Sequence, residues 1–116
     1  MHKKLAQRRF SFHNRHMSSK LILEAIACQT CFTATYNRMS VKLAPHILYT
    51  RHGELYVDAV TMARDGRIPA EAKIGAFKLT GLTDLALVEA QFRPQPVFDP
   101  REQKYEGTTV FAVEVA

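Results

Sequence analysis

A mainly β domain with one N-terminal helix is what this sequence predicts. Three observations predict it. A helical apolar pattern occurs once, just before Phe32. Beyond Phe32 the chain turns into short alternating apolar runs separated by Gly, Pro and Asn. The length of 116 residues suits one domain with a single core. One helix and several short strands of this kind make a small, strongly bent sheet or barrel.

The elements follow in order. Ser18 and Ser19 are N-cap candidates, because a serine hydroxyl accepts bonds from free helix N–H groups. In the following LILEAIACQTCF, Leu21, Ala25, Cys28 and Phe32 recur at three- and four-residue steps, with Ile22 and Ile26 beside them. That spacing makes one amphipathic stripe. The helix is expected to give way between Thr30 and Ala34. FTATYN is a short strand, and Asn37 to Ser40 a turn. Val41 to Tyr49 is a second strand, in which Pro45 marks an edge, bend or bulge because it has no N–H to donate. Ile47 to Arg51 and Glu54 to Met62 flank His52-Gly53, a two-residue hairpin turn. Period-two alternation then puts Leu55, Val57 and Ala59 on one face and Tyr56, Asp58 and Val60 on the other. Arg64 to Pro69 is a loop. Ala76 to Leu79 and Leu85 to Phe92 are strands. Pro94, Pro96 and Pro100 stiffen a linker, and Thr108 to Val115 alternates as a last strand.

Composition narrows the function. With 47% apolar and 23% charged residues, the chain can build a core. No apolar run approaches the ~20 residues that span a bilayer, and no apolar segment follows the basic start as a secretory signal requires. A reducing, cytoplasmic setting is expected from two cysteines too close together to suggest a disulfide scaffold. The net charge of +5 is local. Lys3, Lys4, Arg8, Arg9 and Arg15 fall within residues 1–17, which hold no acid. The eleven basic side chains left of the sixteen face all eleven acidic ones, so the rest is neutral. Residues 1–17 thus form a basic arm, either a solvated tail or a nonspecific grip on nucleic-acid phosphates.

Residue order in the middle of the chain resembles the WYL domain of bacterial transcription regulators. The matching positions are Tyr36, Lys42 and Pro45, Leu55-Tyr56-Val57, Phe77-Lys78-Leu79 and Phe92. The resemblance covers about residues 20–98. It implies a small Sm-like, SH3-type β-barrel at 18–98, without the helix-turn-helix domain of the regulators. It implies a non-enzymatic, ligand-sensing role in transcription regulation, with an anionic small molecule or nucleic-acid fragment as ligand. The sequence departs from the family where Leu55 replaces the namesake tryptophan, and Lys78 and Gly81 stand for two arginines. Residues 99–116 resemble the start of a longer C-terminal extension, or a strand that pairs with a second copy.

The candidate ligand-binding residues are Lys78, Tyr56, Lys42, Arg51 and His46, with Arg64 and Lys73 as further cations that could reach a groove. Tyr49, Tyr56 and Phe77 would offer rings for base stacking. Cys28-x-x-Cys31 with His13-x-x-His16 is a formal zinc set. Cysteines on a helix stripe are more simply core residues, so no metal and no cofactor is expected. His52 reads as a turn residue. No nucleophile elbow, P-loop, dinucleotide fingerprint or HExxH motif is present. Three function classes follow: a ligand sensor, an interaction module that dimerises through its last strand, and a nucleic-acid binder acting through the basic arm.

Overall fold

The structure, a computed structural model, describes residues 15–115. Helix α1 spans Arg15–Cys28. Six strands follow: β1 (Thr30–Tyr36), β2 (Met39–Arg51), β3 (Glu54–Arg64), β4 (Ile74–Lys78), β5 (Thr83–Gln91) and β6 (Thr109–Ala112). The protein is mainly β with one helix, as the sequence pattern predicts. The helix begins earlier than the Ser18-Ser19 cap, because Arg15, His16 and Met17 present no bar to helix.

Leu21 and Ala25 make one buried column of α1, and Ile22 and Ile26 the next. These i, i+4 pairs are the stripe read from the sequence. Cys28 departs from that stripe and is exposed, because the helix ends there. Gln29 takes a left-handed backbone (φ 53°), its N–H bonds to the Ile26 carbonyl, and Thr30 starts β1. Cys31 is therefore a buried strand residue, and the two thiols are free.

All strand pairs are antiparallel, in the order β4-β3-β2-β1-β5, with β6 added beside β2. Three two-residue turns have positive φ at both central positions: Asn37-Arg38, His52-Gly53 and Asp65-Gly66. That is the twist a tight hairpin needs. Glycine adopts it without cost at 53 and 66.

β2 organises the sheet. β1 pairs with its first part, Met39 to Leu43, and β6 with its last part, Ile47 to Tyr49. Pro45 sits between these two partners, where its missing N–H costs no ladder bond, and the β3 register slips between Pro45 and Ile47. Of the edge, bend or bulge open at Pro45 from the sequence, the structure shows a bulge-type register shift. Every residue from Leu43 to Tyr49 is buried, so β2 is covered on both faces. α1 packs against β1, β2 and β5. The segment after β5 returns over β2 and β3.

The sheet is curled but not closed into a barrel, since no ladder joins its end strands β4 and β5. A 3-10 turn, Leu79–Gly81, connects them instead. At about 2 Å rise per residue the five steps from Lys78 to Thr83 cover roughly 10 Å. Five flat strands ~4.8 Å apart would put β4 and β5 ~19 Å from each other. Only a strongly bent sheet lets so short a link join its two ends.

Candidate functional site

Tyr56 stands directly opposite Lys78 in the β3–β4 ladder and opposite Tyr49 in the β2–β3 ladder. Directly paired residues share a face. Arg51, two residues after Tyr49, sits on that face too, with its guanidinium carbon 5.3 Å from the centre of the Tyr56 ring. That is within cation–π range. Arg51 and Lys78 are exposed and Tyr56 is half-buried. Three of the five sequence candidates thus meet on one surface: a half-open aromatic ring flanked by two cations.

The other two candidates lie elsewhere. Lys42 is at the far end of β2, opposite Thr33 and Ala63, where its charge acts on Cys31. Burial raises the Cys31 thiol above its ordinary value, and Lys42 partly offsets this. His46 is fully buried between the Phe92 and Phe98 rings, with centroids 5.0 and 5.2 Å away. Its Nδ1 lies 2.9 Å from the Ala44 carbonyl, and its Nε2 accepts the Gln95 backbone N–H at 3.0 Å. This pairing requires the proton on Nδ1. Burial lowers its pKa, against the opposing pull of the Ala44 hydrogen bond. His46 is thus a neutral anchor for the segment after β5. His52 occupies the hairpin turn with φ 52°.

Sequence alternation places Asp58 on the face of Tyr56, and nothing in the sequence marks it as buried. It is instead 1% exposed. Tyr49 donates its hydroxyl to Asp58 Oδ1 at 2.7 Å, and Tyr105 donates to Oδ2 at 2.6 Å. Lys104 reaches Oδ2 at 2.8 Å while remaining half exposed. A buried carboxylate is tolerable only with such partners. Burial first, then the bond to Asp58, raises the pKa of both tyrosines, so both remain donors. Tyr105 and Lys104 escaped sequence reasoning because they are 47 and 46 residues from Asp58 and carry no local motif.

These contacts join into one patch. The Tyr49 ring lies 6.0 Å from Tyr56 and 5.2 Å from Tyr105, and Lys104 Nζ is 5.2 Å from the centre of the Tyr105 ring. Arg51 and Lys78 stand on one side and Lys104 on the other. Of the three rings only Tyr56 is partly open, since Tyr49 and Tyr105 are buried and Lys104 is paired with Asp58, so charge and an accessible ring coincide at Arg51, Tyr56 and Lys78.

No family model, curated protein or solved structure matches this chain.

Lys3, Lys4, Arg8, Arg9 and His13 lie outside the described residues, and of Arg15 and His16 the structure describes only helical backbone. The formal zinc set is therefore not assembled from described side chains. Among the described residues no three His, Cys, Asp or Glu side chains come together as a metal would need, and no helix is long and apolar enough to cross a membrane.

Proposed function

We propose that this chain is a WYL-like, non-enzymatic ligand-sensing module of the cytoplasm that binds an anionic small molecule or nucleic-acid fragment. The observation that carries this reading is the shared surface of Arg51, Tyr56 and Lys78. Tyr56 and Lys78 stand in two of the segments that resemble the family. The curled five-strand order, the long bent β2 and the 3-10 link between β4 and β5 support an Sm-like, SH3-type arrangement of the sheet. Lysine at position 78 offers a point charge rather than the planar fork of arginine. Arg51 provides such a fork from the neighbouring hairpin strand. Its ligand would thus be gripped from β2 as well as from β4.

Lys78→Ala is expected to weaken binding of a fluorescent decathymidylate by about 1–3 kcal/mol, the size of a charge-assisted contact. Titration by fluorescence anisotropy reads this. Unchanged affinity would remove Lys78 from the site.

A second reading rests on β6. It pairs with β2 of its own chain along one edge, and no described strand pairs with the other. Val110 and Phe111 are exposed on β6, and Val115 is exposed beyond its end. Unpaired apolar edges invite a further strand, so pairing with a second copy would make an interaction module. Light scattering tests this, with Val110→Lys predicted to lower the mass of any dimer to that of one chain. A dimer unaffected by Val110→Lys would place its interface elsewhere.

A further inference from the structure

A second concave surface lies at the other end of the β3–β4 ribbon, away from Tyr56. Thr61, Arg64, Pro69, Lys73, Ile74 and Phe77 are among the residues lining an open groove of about 480 Å³. That volume suits a small organic molecule. Its floor is Gly75, which adds no side chain, and the neighbouring edge of the buried Phe77 ring, whose Cε1 would lie 3.5 Å from a Cβ at position 75. The Phe77 ring is braced from behind by Tyr36, edge-on at 5.0 Å.

The walls carry two cations, Arg64 and Lys73, and one carboxylate, Glu71. Arg64 is exposed, and among the described residues its guanidinium has no ion-pair partner. Its backbone is held firmly. Arg64 and Arg67 exchange N–H bonds at 2.8 and 2.9 Å, Asp65 N–H bonds to the Ser40 carbonyl at 2.7 Å, and Asp65 Oδ1 accepts the Ser40 N–H at 2.9 Å. On the loop side Lys73 meets Glu71 at 3.8 Å, and both side chains are more than three-quarters exposed. Such a loose pair competes poorly with a ligand anion. A planar guanidinium also stacks on flat rings and pairs with carboxylate or phosphate.

We infer that this groove is a second binding site, for a small molecule that joins a flat ring to one anionic group. The ring lies over Gly75 beside the Phe77 ring edge, and the anion meets Arg64 with Lys73 beside it. The site is separate from the Arg51–Tyr56–Lys78 surface, because Phe77 and Lys78 are adjacent in β4 and point to opposite faces of the ribbon.

Amide NMR of the isotope-labelled full chain tests this with four probes: adenosine monophosphate, 2-naphthoate, adenosine and inorganic phosphate. At equal millimolar concentration, at least one ring-bearing anion is expected to shift the amides of Arg64, Gly75 and Phe77. Adenosine and phosphate alone should shift them at least several-fold less. A response to the nucleotide only would assign the anion as phosphate, and one to naphthoate only as carboxylate. Arg64→Gln, an exposed change that leaves the core intact, is expected to weaken binding tenfold or more. Three results would overturn the inference: no shift at these amides with either ring-bearing anion, equal binding by Arg64→Gln, or shifts confined to Tyr56 and Lys78.

Discussion

At the scale of single residues, Asp58 and His46 show how buried polar groups hold this molecule together. Asp58 has three donors, and two of them, Tyr105 and Lys104, come from the segment that follows β5. Tyr105→Phe removes one hydrogen bond to a charged acceptor and is expected to cost about 1.5–3 kcal/mol in urea unfolding. Tyr49→Phe should cost a similar amount. The double variant should depart from the sum of the two, since both act on one carboxylate. Strict additivity would mean that the two hydroxyls do not share Asp58.

His46 makes a pH prediction. Its folded pKa lies below the ordinary value of 6.5, so between the two values the unfolded chain binds more protons. Stability contributed by neutral His46 is therefore present above about pH 6.5 and is lost as pH falls towards the folded pKa. The groups around the ring, Ala44, Phe92, Gln95 and Phe98, carry no charge. Urea unfolding from pH 8 to pH 5 should show this loss in the natural chain and a smaller slope in His46→Phe. Equal slopes would contradict the account of His46.

At the scale of elements, the hairpin β2–β3 was legible because His52-Gly53 sits between two alternating runs. The helix was legible from its i, i+4 pairs, and an edge, bend or bulge in β2 from Pro45. The turn Asn37-Arg38 was less so, since arginine rarely adopts φ 65° and gives no signal that it does. The hidden element is the return of residues 93–113. Their prolines read as a linker, yet Phe98, Tyr105 and Val113 are all buried. These residues lie far from β2 and β3 in sequence, so periodicity could not reveal the contact. A chain ending at Phe98 would uncover Tyr49 and Asp58 and leave Asp58 without two of its donors. Its melting temperature should fall well below that of Tyr105→Phe. A melting temperature equal to that of the whole chain would show that the last segment is not part of the core.

At the scale of the whole molecule, charge and fold separate cleanly. The net charge comes from the first 17 residues, whereas the candidate surface is built on a neutral body. Tyr56 and Lys78 could be picked from the sequence through the resemblance, and Arg51 as one of several cations that could reach a groove; the ladder register of β2, β3 and β4 is what joins the three. Lys42 could not be sorted from them, since the length of β2 decides which cations are neighbours. His46 could not be sorted either, because the fold of a distant segment decides whether it is exposed.

Salt-dependent anisotropy of labelled decathymidylate, comparing the full chain with Arg51→Ala/Lys78→Ala, tests the surface most directly. Each phosphate contact on a single strand contributes about 0.7 to the slope of log affinity against log salt. The account predicts weaker binding by the double variant, with a slope lower by about 1.4. The same affinity and slope for both chains at every salt concentration would contradict it.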